Sequence, residues 1–312
     1  MSHGEHALQY RATLSGKVEH NEALEYACSH VEADTSVVYH LSVLSKAVPG
    51  QHVIVRATDT DIMVILLYHA LQLQANLWMD LGHSSDNTRR YVHITALANH
   101  LSPVVCKALP GYHALTGSDY TAPFFRKGKV NPFKKAQKDS LHLEGLSMLG
   151  ETTTFDDHGS ALVERYVCSL YGQGTLSSVN EARLKIFQRK YKPSNPDMPL
   201  EKIKGLDASM LPPCRNVLSQ KLARCNYVAY LWKHAQLRDP LNAVQPTDNG
   251  WKEVNGLYVP LWFTGSQMPT VLSETMELKD VGDEDDDDNE NDSMSDDGDS
   301  EDEEDSDGDE NV

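Results

Sequence analysis

Apolar residues recur at helical spacing from about His30 to Lys46, where Val31, Val37, Val38, Leu41 and Leu44 form one stripe and Pro49-Gly50 ends it. Val53-Ile54-Val55 then predicts a short buried strand, and the apolar residues from Ile62 to Leu73 predict a buried helix behind it. Two further strands are expected at Ala75 to Met79 and Tyr91 to Ile94, with the polar turn His83-Ser84-Ser85-Asp86-Asn87 between them. Thr95 to Leu101 reads as a short helix. Ser102-Pro103 offers a cap and a first-turn proline for the next one, which leads through Leu109-Pro110-Gly111.

Beyond residue 150 the pattern is mainly helical. Ser160 to Tyr171 and Ser178 to Lys190 are amphipathic, and Pro212-Pro213 opens a long helix through Trp232 and His234. Gly250-Trp251 to Phe263 predicts a hairpin turning at Asn255-Gly256. Near the N-terminus, Ala7 to Leu14 is compatible with an edge strand. Strands alternating with helices make the class α/β. The expected division is a weakly patterned segment at 1–27, an α/β domain at 28–150, a helical extension with a hairpin at 151–276, and a tail at 277–312.

Charge sharpens that division. The chain of 312 residues carries a formal charge of -18, but Asp280 to Val312 alone holds 20 acidic and no basic residues, leaving 26 acidic against 28 basic residues elsewhere. A segment so charged has no apolar surface to bury, which predicts a disordered acidic tail. Such a tail suits basic protein partners, and Ser293, Ser295, Ser300 and Ser306 lie in surroundings suited to an acid-directed kinase; a simple solubilising role is the plainer alternative. Cys28, Cys106, Cys168, Cys214 and Cys225 form no CxxC pair. Without a signal peptide, reduced thiols in a nuclear or cytoplasmic, non-secreted protein are expected. No apolar run reaches the ~18 to 20 residues of a membrane span.

The candidate chemistry is carboxylate. Asp59 and Asp61 fall where the first buried strand passes into its helix, at the carboxyl edge of the expected sheet, where ligands bind in open parallel sheets. Two carboxylates facing one crevice call for a positive partner, and a divalent ion is the usual one. Helix capping is the other reading, because Asp is a favoured cap. Glu32 and Asp34 form a second pair. On a regular helix they point to nearly opposite sides, so both reach one site only if Glu32 lies at the helix entrance; a solvated first turn is the alternative.

With GSDYT at 117 to 121 the order becomes Glu32 with Asp34, Asp59 with Asp61, then Asp119. This ordered series resembles the PIN-like superfamily, in particular its flap-endonuclease-like (XPG-type, Asteroid-like) nucleases. The phrases VEADT, RATDTDIMVILLYHA and LPGYHALTGSDYT are more similar still to mobile-element-associated animal proteins of that superfamily. The resemblance covers about residues 28 to 265. It implies a partial PIN-like parallel sheet with helices, and a Mg²⁺- or Mn²⁺-dependent hydrolysis of DNA phosphodiesters by two ions, with no small-molecule cofactor. By the same resemblance Glu32, Asp34, Asp59, Asp61 and Asp119 are metal ligands or their close neighbours, with Asp59, Asp61 and Asp119 catalytic. The family's fold begins with an aspartate-bearing strand upstream of the first acidic pair. Only about 30 residues precede Glu32, so a sheet lacking that strand, with an exposed apolar edge and fewer ligands, is expected.

A basic run follows the third acidic segment. Arg126, Lys127, Gly128, Lys129, Lys134, Lys135 and Lys138, interleaved with Phe124, Phe125 and Phe133, suit a DNA backbone held by cations and backbone amides; a solvated Lys-rich turn is the alternative. His40, His93 and His113 show no ligand spacing and read as packed or surface residues. Cys214 and Cys225 are expected to be inert helix residues, and Trp232, Trp251 and Trp262 core residues.

Overall fold

The computed structural model describes residues 2–3, 6–82, 88–191 and 207–266. The turn expected at 83–87 and the acidic tail from 277 lie outside them. The chain divides at Gly265, and all that follows concerns the first unit.

Strands β1 (Ser2–His3), β2 (His6–Ala12) and β3 (Val18–Glu22) form an antiparallel meander. Helix α1 (Ala33–Ala47) leads to β4 (His52–Arg56), α2 (Thr60–His69), β5 (Asn76–Leu81) and β6 (Arg90–His93). β4 pairs with β5 in parallel, Val53 opposite Leu77, because helix α2 provides the crossover. β6 joins β5 antiparallel, so the sheet expected to be parallel is mixed. Among the described residues β4 pairs only with β5, which makes it an edge strand. Alternation along it turns Val55 into the core and leaves Ile54 59% exposed, so this strand is half-buried rather than buried as its composition suggested. Val31, counted in the first helical stripe, lies ahead of α1 and is exposed.

α3 (Ile94–Leu101) and α4 (Pro103–Thr116) follow. Ser102 joins them with φ +79° and makes no side-chain cap bond; Pro103 opens α4 without one, since its missing N–H needs no partner. Lys134 and Lys135 of the basic run fall in a helix, α5 (Val130–Gln137), and α6 (Ser140–Met148), α7 (Asp157–Leu170), α8 (Val179–Lys190) and α9 (Arg215–Lys233) complete the helical part. β7 (Trp251–Val254) and β8 (Leu257–Pro260) form the expected hairpin, with Asn255 and Gly256 both at positive φ as its two-residue turn requires. No helix among the described residues is long and apolar enough to cross a membrane, and none of the five cysteines forms a disulfide there.

One hydrophobic cluster runs from Val38 through Leu66, Met79, Leu115 and Val167 to Trp232. The α/β part and the helical part therefore share a core. Helix α9 is its spine. Four of its polar side chains are buried, and each ends on a main-chain carbonyl of another segment: Lys221 on Ala122, Arg224 on Gly250 and Leu261, Asn226 on Thr152, Lys233 on Ser147. Buried polar groups persist only when satisfied in this way. Trp262, expected in the core, is 57% exposed and lies under the Arg224 guanidinium at 5.0 Å.

Candidate functional site

Three local devices bring the acidic residues together. Glu32 stands at the N-cap of α1 with extended backbone, φ -111° and ψ 147°, and Asp34 follows in the first turn. This is the geometry that lets side chains two residues apart face one site. Asp59 caps α2, its carboxylate accepting from the Asp61 amide at 2.9 Å, so the capping role is real. Asp61 sits in that first turn, mostly buried. Asp119 occupies a tight loop after α4, closed by reciprocal backbone bonds between Ser118 and Thr121 at 3.0 and 3.2 Å. Gly117 enters the loop at φ +121°, and a Cβ there would lie 3.0 Å from Pro123, which favours glycine. Helices α1 and α4 both pack on α2.

The carboxylates interact. Glu32 is pushed above the ordinary carboxyl range by burial first, and then by Asp34, Asp61, Asp119 and Asp59. Asp34 is raised by burial and by Asp59, Asp61 and Asp119. All five expected residues thus share one field, from positions spread over nearly ninety residues.

His113, read from the sequence as merely packed, belongs to this site. It is buried on α4, and its Nε2 lies 2.7 Å from Asp61 Oδ1. Lys129 Nζ lies 3.0 Å from His113 Nδ1 and donates to the Gly117 carbonyl at 2.7 Å. The network is consistent with a neutral imidazole whose Nε2–H donates to Asp61 while Nδ1 accepts from the ammonium. Lys129, expected to face a DNA backbone, instead directs its charge toward the acidic group. Burial lowers its pKa, with Asp61 opposing.

The remaining basic residues do gather. Arg126, Lys127, Lys134, Lys135 and Lys138 line a hollow of about 370 Å³ with Asn131, Pro132 and Leu170. Lys127 lies 4.2 Å over the Tyr171 ring and is lowered in pKa by burial, then by Lys135 and Lys190. Lys135 donates to the Ser169 carbonyl at 2.7 Å. Arg126, Lys134 and Lys138 stand exposed, and Gly128 has open space around it.

Hard oxygen donors in a crowded anionic field suit Mg²⁺ or Mn²⁺, since a cation relieves the repulsion that adds to burial in raising Glu32 and Asp34. Among the described residues no three His, Cys, Asp or Glu side chains converge as a ready ligand set. Binding would draw carboxylates such as Asp59 away from their present partners. His40 and His93 are engaged elsewhere, with the Tyr26 carbonyl and with Asn76 and the Trp78 ring. No family model, curated protein or solved structure matches this chain.

Proposed function

We propose that this chain is a divalent-metal-dependent, PIN-like nuclease acting on DNA phosphodiesters. The observation that carries the reading is the convergence of three separate segments, whose Asp59, Asp61 and Asp119 carboxylates act on both Glu32 and Asp34 at the entrance of α1. Asp59, Asp61 and Asp119 would hold Mg²⁺ or Mn²⁺, with Glu32 and Asp34 completing the anionic shell. Ions bound there supply an activated water and stabilise charge on the phosphate oxygens. His113 and Lys129 fix the orientation of Asp61 through their hydrogen-bonded chain. The concavity of Arg126, Lys127, Lys134, Lys135 and Lys138 holds the DNA backbone by charge. Arg126 is seven residues from Asp119 in sequence, a separation of at most about 25 Å even in extended chain.

The second reading is a non-catalytic nucleic-acid or protein-binding module. It is favoured by the present engagement of Asp59 with a backbone amide and of Asp61 with His113. The full chain, incubated with labelled flap, single-stranded and duplex DNA in Mg²⁺ or Mn²⁺, separates the two. Substitution of neighbours of metal ligands typically costs about 10- to 100-fold, so Asp59→Ala and Asp119→Ala are expected to lose at least about 100-fold in cleavage. Cleavage that persists unchanged in both variants overturns the nuclease reading, and binding without any cleavage supports the second.

A further inference from the structure

A cavity of about 650 Å³ opens beside the acidic site, within the size range of small-molecule pockets. Glu32 belongs to its wall as well as to the carboxylate group, and Tyr120, next to Asp119, forms another part of that wall. Tyr227 of α9, Trp251 of β7 and Tyr258 of β8 line it as well. The Tyr227 and Trp251 rings meet edge to face, 5.1 Å apart at 65°. Tyr227 is raised in pKa by burial, then by Tyr258 and Glu32, two residues that line the same cavity.

The lining holds no Lys or Arg, and Glu32 repels an anion, so a phosphate is excluded from the cavity itself. What fits is a neutral, planar group with apolar faces and a polar edge. Gln245 offers a side-chain amide and Asn242 an amide oxygen, its Nδ2 donating to Asp239. His30, on the same wall, directs Nε2 to the Leu237 carbonyl at 2.7 Å, and its buried Nδ1 has no hydrogen-bond partner.

We propose that this cavity takes an unpaired nucleobase, stacked among Tyr120, Tyr227, Trp251 and Tyr258, so that the attached phosphate lies at the carboxylate side of Glu32. The proposal rests on the nuclease reading for the role of that phosphate. Base–aromatic stacking tolerates any base, so the site selects strandedness rather than sequence. Aromatic residues beside a carboxylate also suit a methylated ammonium, but this cavity exceeds what one such head group fills.

The test uses the full chain with Ca²⁺ in place of Mg²⁺ and fluorescence anisotropy of three probes. These are a labelled oligothymidylate of about a dozen nucleotides, its abasic counterpart and the duplex. Trp251→Ala and Tyr258→Ala are each expected to weaken oligothymidylate binding by about 5- to 100-fold while changing abasic and duplex binding by less than about 2-fold; Tyr258→Phe is expected to restore it. Tyr258 is half exposed, so its variant retains the fold, and a thermal melt checks both. Unchanged oligothymidylate binding in both variants overturns the proposal, as does capture of a trimethyllysine peptide with no preference for bases. Cleavage assays on Asp59→Ala keep the two readings apart. Asp59-dependent cleavage without an aromatic effect removes the pocket and leaves the nuclease, whereas base-dependent binding without cleavage does the reverse.

Discussion

The acidic group, whose last member Asp119 stands seven residues ahead of Arg126, and the basic hollow are opposites in how their charges are held. Four of the five carboxylates lie in helix caps and first turns, positions that helix dipoles favour, and two of them, Glu32 and Asp34, are pushed toward protonation by burial and then by the other carboxylates. Only Asp61 reaches a lysine, through His113. In the hollow, Lys127 rests on Tyr171 and Lys135 on a carbonyl, while Arg126, Lys134 and Lys138 extend into water. One region stores repulsion that a cation would release. The other is already settled, and acts on a polyanion mainly through long-range attraction.

That contrast breaks first on activity. Asp119→Ala is expected to abolish metal-dependent cleavage by at least about 100-fold, whereas Lys134→Ala lowers it by less than about 10-fold; comparable losses in a single-turnover assay would make the two regions equivalent. A metal-linked melting curve sharpens the point. At Mg²⁺ near 100 times its dissociation constant, linkage adds about 2.7 kcal/mol, a rise of roughly 5 to 10 °C that the Asp59→Ala chain loses and the Lys134→Ala, Lys138→Ala chain keeps. Salt dependence probes the other side. Removing Lys134 and Lys138 is expected to reduce the slope of log affinity against log salt by about 2 for duplex DNA, while Glu32→Gln leaves the slope within about 0.5.

The smallest effect is on stability without metal. The folded chain holds the Glu32 and Asp34 protons more tightly than the unfolded chain does. Their contribution therefore falls as pH rises from the ordinary values of 4.5 and 3.8 through the raised folded-state values. Glu32→Gln with Asp34→Asn is expected to raise the melting temperature by about 1 to 3 °C at neutral pH and by nothing below pH ~4. A lowered melting temperature at neutral pH would mean that these carboxylates are satisfied rather than repelled.

Where a site residue is set by a local device, the sequence was informative. Asp59 before an apolar helix, Glu32 at a helix entrance and Asp119 in a Gly-Ser-Asp-Tyr turn are all short-range signals, as is the Asn255-Gly256 hairpin. His113 was not legible, because its partner Asp61 is 52 positions away and no spacing encodes that contact. The inward direction of Lys129 depends on the same distant imidazole. Ile54 reads like its buried neighbours until the missing second partner of β4 is known. The aromatic cavity draws on Tyr120, Tyr227, Trp251 and Tyr258, none of which shares a motif with another.

The carbonyl-seeking side chains of α9 bear on how far the protein is modular. A change of composition near residue 150 invites cutting the chain there to obtain a minimal catalytic fragment. Yet Lys221 secures the Ala122 carbonyl beside the Asp119 loop, and Cys225 Sγ reaches the Ala114 carbonyl on α4 at 3.4 Å. The fragment would therefore lose the partners that hold its third acidic segment, and would expose Leu115 and its neighbours to water. The α/β part and the helical part share one core, and α9 is the element that closes it.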